Sequence, residues 1–330
     1  MDNSERILRL VQESNRIVIT SHRNPDGDSV GSSLGLARFL KSIGKSPVIC
    51  HPDATPNFIK WLVDDGEIEI FDENEEAVKE LMISADLIFC LDYNGSSRMG
   101  KEMGDLLDSC SGNKIMIDHH PNPSLDCDIS VSKPEVGSTS QLILEWIRDI
   151  GKIDMVNPKM GAPMYLGMVT DTGSFRFSSV SRDTHELVAY LLKNGLKHTE
   201  IHERTFDNNR LDQLKLRGFA ITEKTEIVEG GLAIISLTQE ELKRFNYIKG
   251  DTEGLVNVGL SIEGVRASVL VLEKDDAVKL SFRSLGDLAI NGLAREHFDG
   301  GGHLNAAGGI SFVSIEETID KIKAIAPAYL

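Results

Sequence analysis

The sequence predicts an α/β protein: a doubly wound domain with a mainly parallel sheet, followed by a smaller mixed α/β domain. Strand-like and helix-like segments alternate through the first half. The strand-like segments are continuous apolar runs, as expected where helices cover both faces of a sheet. After about Leu196 the pattern changes to hairpins.

Taken in order, Arg16 to Ser21 reads as the first strand and Ser29 to Ile43 as a helix that Gly44 ends. Pro47 to His51 is a second strand. Leu87 to Asp92 and Lys114 to Asp118 follow, and each ends in an acid. Gly137 to Ser140 precedes an amphipathic run from Gln141 to Ile150, and Asn157-Pro158 supplies an N-cap and first-turn proline for a helix towards Thr170. Arg182 to Asn194, closed by Gly195, is another helix, and a polar helical stretch runs on to Phe219. Gly230-Gly231 and Asp275-Asp276 separate strand-like runs, while Thr238 with Glu241 and Ser314 with Glu317 have capping-box spacing. The predicted boundaries are a first domain over 1–195, a connector over 196–222 and a second domain over 223–330.

Composition narrows the function. A chain of 330 residues exceeds the size, about 250 to 300 residues, at which one hydrophobic core stops growing. The formal charge of -16 repels polyphosphates, so a long duplex nucleic acid is excluded as a partner, and a small anion binds only where local cations overcome that field. The longest apolar stretches, such as Val269 to Leu272, fall far short of the roughly 18 residues of a membrane span. Met1 to Arg9 reads as a polar helix without the pattern of a secretion signal. Cys50, Cys90, Cys110 and Cys127 are widely spaced, which suits small buried hydrophobes in a reducing compartment. The expected location is cytoplasmic.

The chemistry sits at the strand ends. Ser21 to Ser29 contains H-x-x-x-D-x-D, with His22, Asp26 and Asp28 in the loop after the first strand. Alone, that loop is equally a turn in which Asp28 or Ser29 caps the next helix. However, Asp92 ends one later strand, Asp118-His119-His120 ends another, and Asp171 follows a helix. Parallel strands bring such ends to one edge of the sheet, where four carboxylates cannot all stay ionised unless cations lie among them. Two divalent ions would balance the charge. Mixed carboxylate and imidazole donors favour manganese, iron, cobalt or zinc, with manganese preferred. Ions about 3.5 to 4 Å apart can share a hydroxide that attacks phosphorus, which points to phosphoester hydrolysis.

These motifs resemble those of the DHH phosphoesterase superfamily, named for the triplet present here as Asp118-His119-His120. Ser21 to Ser29, Leu91 to Arg98, Ile117 to His120 and Met168 to Phe177 match its four N-terminal motifs, and Gly300 to Gly308 resembles the glycine-rich motif of the DHH-associated C-terminal domain, first type. The resemblance implies that His22 and Asp26 hold one ion, that Asp28, His119 and Asp171 hold the other, and that Asp92 bridges both. It also implies that Asp118 orients a ligand imidazole and that His120 donates to the reacting phosphoryl group or leaving group. Standalone two-domain members resemble oligoribonucleases that degrade very short RNA and dephosphorylate 3'-phosphoadenosine 5'-phosphate.

In the second domain, Gly300, Gly301 and Gly302 with His303 read either as a flexible turn or as backbone amides open to an anion. Arg283 is a fork donor for the same anion or a solvent-facing strand residue. The resemblance makes Arg283, Gly301, Gly302 and His303 substrate-phosphate contacts that limit substrate length. Arg98 is a substrate contact or an exposed helix start. Ser138 and Thr139 read as helix caps, and His185, His198 and His202 as structural or solvated. The expected partners are a small nucleotide or short single-stranded RNA, and a homodimer is compatible with the sequence. The rival readings are a phosphodiesterase for cyclic dinucleotides or their linear products such as pApA and, from another class, a non-catalytic nucleotide sensor.

Overall fold

Continuous apolar strands require cover on both faces, and the chain supplies it. The computed structural model describes residues 2–330, apart from the His303 side chain, and the chain divides into units Met1–Asp207 and Asn208–Leu330. The first unit runs α1 (Asn3–Glu13), β1 (Ile17–Thr20), α2 (Gly27–Ser42), β2 (Val48–His51), β3 (Ile68–Ile70), α3 (Glu75–Ile83) and β4 (Leu87–Leu91). It continues through α4 (Lys101–Ser109), β5 (Asn113–Asp118), β6 (Ile129–Ser132), α5 (Thr139–Asp149), α6 (Pro158–Asp171), α7 (Arg182–Lys193) and α8 (His198–Thr205). All strand pairs are parallel, in the order β3-β2-β1-β4-β5-β6. The doubly wound α/β fold predicted from the apolar runs is the one observed.

Side-chain alternation explains why both faces are apolar. Ile17, Ile19, Phe89 and Ile117 pack on one face against α1, α2 and α5 through Val11, Leu34, Phe39 and Ile143. Val18, Ile88, Cys90 and Met116 pack on the other against Val78, Met82, Met103 and Leu107 of α3 and α4. Each such aliphatic residue contributes about 1.5 to 3 kcal/mol by leaving water. Cys50, Cys90 and Cys110 are buried thiols, and Cys127 is half-buried. Among the described residues, no helix is long and apolar enough to cross a membrane.

Local chemistry sets the helix starts. Asp26 caps α2 with a capping box: its Oδ1 accepts from the amides of Asp28 and Ser29, and Ser29 Oγ accepts from the Asp26 amide. The helix therefore begins two residues before Ser29, and Asp28 lies in its first turn instead of capping it. Asn157 caps α6 by accepting from the Met160 amide, with Pro158 at the first position. The stretch 196–222 holds α8, which packs through Ile201 in the first unit, and most of the first helix of the second unit.

That unit comprises α9 (Leu211–Glu223), β7 (Thr225–Val228), β8 (Leu232–Leu237), α10 (Gln239–Arg244), α11 (Leu255–Gly259), β9 (Ala267–Glu273) and β10 (Val278–Ser284). It closes with α12 (Ile290–His297), β11 (Gly301–His303), β12 (Ala306–Ser311) and α13 (Ile315–Ile325). Its sheet has the order β11-β12-β10-β9-β8-β7 and is antiparallel except where β8 pairs with β9. The glycine run, read as a turn or an anion loop, is an edge strand paired with β12. Close packing explains two of its glycines: a Cβ on Gly300 would lie 2.0 Å from the Gly308 carbonyl oxygen, and one on Gly302 2.4 Å from that of Ala306. Gly301 differs, since a Cβ there would meet nothing within 4 Å.

Candidate metal centre

In an open parallel sheet, ligands gather outside the carboxyl ends of the strands where the strand order reverses. Here that point lies between β1 and β4, and His22, Asp92 and Asp118 to His120 stand at the ends of β1, β4 and β5. Asp28 reaches the same place from the first turn of α2, and Asp171 from the last residue of α6. The short α2 to α6 approach depends on glycine, because a Cβ at Gly167 would lie 2.6 Å from Asp28 Oδ1.

Three overlapping groups result: His22 with Asp26 and Asp92, Asp28 with His119 and Asp171, and Asp92 with His119 and His120. His22 Nε2 lies 3.6 Å from Asp26 Oδ2 and 3.4 Å from Asp92 Oδ2. His119 Nε2 lies 3.4 Å from Asp92 Oδ1, 3.4 Å from Asp171 Oδ2 and 3.9 Å from Asp28 Oδ2. The two oxygens of Asp92 thus face two different imidazole and carboxylate groups.

Backbone carbonyls orient both imidazoles. His22 Nδ1 is 2.9 Å from the Arg23 carbonyl and His119 Nδ1 3.2 Å from that of Val136. A carbonyl only accepts, so each Nδ1 carries hydrogen and each neutral ring turns the Nε2 lone pair towards carboxylate oxygens. Lone pairs facing lone pairs are stable only with a proton or cation between them. Without a cation the protons remain: despite burial, which alone would lower them, Asp26 and Asp92 hold His22 well above the ordinary histidine value, and Asp171 and Asp92 do the same for His119. Burial, with Asp92 and Asp171 nearby, raises the Asp28 carboxyl well above its usual range, and burial with Asp26 nearby raises Asp171 to about 6. Burial also opposes ionisation of Asp92, yet the two imidazoles overcome it and hold that group well below the carboxylate range.

This donor set fits divalent cations. Asp118 Oδ2 is buried and accepts no hydrogen bond among the described residues, and Asp92 Oδ2 has only the poorly aligned His22 imidazole at 3.4 Å. Such a condition costs about 1 to 3 kcal/mol per group, and more when charged, unless something positive supplies the contact. Mixed nitrogen and oxygen donors suit manganese, iron, cobalt or zinc.

Several supporting groups were not apparent from spacing. The amides of Thr139 and Ser140 both donate to Asp28, so the start of α5 holds that carboxylate, and Thr139 Oγ1 donates to Asp92 Oδ1 at 3.1 Å. Ser138 caps α5 by accepting from the Gln141 amide, as a cap should. Asp92 has a left-handed backbone, φ 64°, held by its amide donating to the Ile117 carbonyl. Its polar, acidic identity was visible; its backbone geometry was not.

The other residues singled out divide in two. Asp118 Oδ1 accepts from His120 Nδ1 at 2.7 Å, which fixes that tautomer and leaves Nε2 for chemistry. Arg98 is exposed in a turn of 3₁₀ helix over Ser96–Met99, and its carbonyl accepts from the Arg23 amide, tying two site loops together. In the second unit, Arg283 pairs with Ala306 across β10 and β12, and Ala306 pairs with His303 across β12 and β11, so Arg283 and His303 occupy one row of the sheet. The His303 side chain lies outside the described residues. His198 and His202 form a ring cluster with Tyr165, with Tyr165 Oη 3.1 Å from His202 Nε2.

A doubly wound domain with clustered carboxylates and imidazoles at its switch point has the donor set of a metal-dependent hydrolase. The DHH family, N-terminal domain, matches residues 16–168, and the DHHA1 domain matches residues 232–329. The chain belongs to the DHH family and is a hydrolase acting on phosphate ester bonds. It is 29% identical over 321 residues to the bifunctional oligoribonuclease and PAP phosphatase NrnA of Bacillus subtilis (strain 168), covering 96% of each chain. It is 26% identical to the cyclic-di-AMP phosphodiesterase GdpP of the same organism, covering 97% of this chain and 49% of that protein. The crystal structure of an exopolyphosphatase-related protein from Bacteroides fragilis superposes with a TM-score of 0.91 at 37% identity, covering 98% of this chain and 96% of that one.

Proposed function

We propose that this protein hydrolyses short oligoribonucleotides and 3'-phosphoadenosine 5'-phosphate with two divalent cations, manganese by preference. His22, Asp26 and Asp92 would hold one, and Asp28, His119, Asp171 and Asp92 the other. The observation that carries the reading is Asp92, whose two carboxylate oxygens face two separate imidazole and carboxylate groups. Similarity to NrnA along nearly the whole of both chains supports the substrate class.

When bound, the cations supply charge stabilisation at phosphorus and lower the pKa of water. The chain's own residues do the rest. Asp118 accepts from His120 Nδ1 and so would stabilise the ring in its doubly protonated form; from that imidazolium Nε2 would give its proton to the leaving oxygen and leave the neutral ring with hydrogen on Nδ1. The amides of Thr139 and Ser140 keep Asp28 in place as the site charges and discharges. Arg283, with the Gly301 and Gly302 amides and His303, binds a substrate phosphate, and Arg98 binds the substrate near the first strand end.

The second reading, a phosphodiesterase for cyclic dinucleotides or linear pApA, draws on the likeness to GdpP. Turnover of pApA, cyclic diadenylate and 3'-phosphoadenosine 5'-phosphate in manganese decides between them: the primary reading expects the first and third to be cleaved and the cyclic compound to be poor. Asp92→Asn should lower kcat by at least about a thousandfold with the circular dichroism spectrum unchanged. Unaltered turnover in that variant removes the bridging role, and a wild type inert towards all three substrates points to the sensor.

A further inference from the structure

The two faces of the second unit's sheet are covered unequally. On one face, Val269, Val271, Leu280, Phe282 and Ala307 pack beneath α12 and α13. On the other, Ile235, Leu237, Leu270 and Leu272 pack with Leu216, Leu242 and Leu255 from α9, α10 and α11. That second cover thins beyond β9, where α11 still reaches β10. Beyond it, the outward positions of β10 and β12 alternate with buried ones and remain partly or fully exposed.

Strand register arranges these positions in three rows. Lys279 lies opposite Ile310, Ser281 opposite Gly308 and then Gly301, and Arg283 opposite Ala306. The middle row is a floor of small residues whose size packing does not demand. A Cβ on Gly301 would meet nothing within 4 Å, and one on Gly308 only the Leu280 carbonyl oxygen at 3.8 Å. Ile310 is 43% exposed, so the row beside the floor carries an aliphatic surface that the fold leaves in water. Lys279, with Lys249 and Lys274 near it and Glu253 offsetting them in part, adds positive charge at this end. Arg283 adds it at the other. Two cations on a partly open face stand out in a chain of net charge -16.

The spacing suits one ligand chemistry. Four residues along a strand separate the Arg283 row from the Ile310 row, about 13 Å at the usual rise. That is the length scale of one nucleotide from its phosphate to the far edge of its base. A phosphate at the Arg283 end sets a ribose over the floor and a flat base against Ile310, with Lys279 beside it. Every base has an apolar face, so such a subsite accepts a nucleotide without reading its identity.

We propose that Ile310, with Lys279 beside it in register, forms a nucleobase subsite on the open face of this sheet, over a floor of Ser281, Gly308 and Gly301. The proposal rests on the phosphoesterase reading above, in which Arg283 binds substrate phosphate. It makes Ile310 a specificity residue: substrates with a base in this position are favoured over phosphate esters without one.

The test is calorimetric titration of the metal-stripped full-length protein with AMP and with ribose 5-phosphate. Wild type should bind AMP about tenfold more tightly, on the scale of the apolar area that a base and an aliphatic side chain remove from water together. Ile310→Ser should bring the two affinities to near equality with an unchanged melting temperature, and Lys279→Ala should narrow the gap in part. Ile310→Asp adds a charge that weakens both ligands, so the serine variant is the decisive one. Equal affinities in wild type, binding of neither compound, or a ratio untouched by Ile310→Ser would overturn the subsite. A shift from dimer to monomer in sedimentation with the ratio unchanged would also overturn it, by showing that a second copy covers this face. Hydrolysis of pApA and 3'-phosphoadenosine 5'-phosphate in manganese keeps the parent reading separate: turnover of either with no preference for AMP over ribose 5-phosphate defeats the subsite alone, and turnover of neither defeats the parent reading.

Discussion

Thr139 shows how a residue that reads as a helix cap serves chemistry as well. Its amide donates to Asp28 and its hydroxyl to Asp92, the carboxylate shared by both imidazole groups. Thr139→Val keeps the amide and the shape while removing the hydroxyl. It should weaken manganese binding by about ten to a hundredfold, the usual effect of losing a group that orients a ligand, with the melting temperature little changed. Calorimetric affinity measures this, and an unchanged value would make the hydroxyl merely structural. The six residues proposed as ligands were legible because their types are rare together at strand ends. Thr139 and Ser140 were not, since Ser138 is the cap and a helix start whose first amides meet water has the same spacing as one whose first amides hold a carboxylate.

At the scale of elements, β11 separates two uses of glycine. Gly302 sits against the Ala306 carbonyl at φ 139°, whereas Gly301 has open space where a Cβ would go. Gly302→Ala should therefore lower the melting temperature, because backbone must move to admit it. Gly301→Ala should fold normally and raise KM for oligonucleotides severalfold without a matching fall in kcat. A melting curve and steady-state kinetics on both variants check the contrast, and equal destabilisation would assign both glycines to packing. The sequence presented this run only as a turn or a loop, since glycines show no alternation by which a strand is recognised. The edge strands β3 and β6 escaped for a related reason: they are short and mostly half-exposed, so their apolar residues do not form a continuous run. The start of α2 was displaced because Asp26, Asp28 and Ser29 are all competent caps, and only the geometry selects Asp26.

For the whole molecule, the order β3-β2-β1-β4-β5-β6 turns scattered residues into one site. Apolar runs announced parallel strands, but their order follows from crossover handedness and packing, which periodicity does not carry. The reversal between β1 and β4 brings the acids together, and that meeting has a proton cost. Asp26 and Asp92 keep His22 protonated, Asp171 and Asp92 keep His119 protonated, and burial with neighbouring acids keeps protons on Asp28 and, below about pH 6, on Asp171. Cations must displace these protons, so manganese affinity should rise with pH and fall as acid restores them. Titrations at about pH 6 and about pH 8, in buffers of different ionisation heat, should show proton release and weaker binding at the lower pH. Equal affinity at both would mean that ions bind elsewhere. The most direct test of the central claim is anomalous diffraction at the manganese edge from crystals grown with the ion. It should reveal two peaks at this site, each contacting a different oxygen of Asp92; a single peak, or two that do not share Asp92, would contradict it.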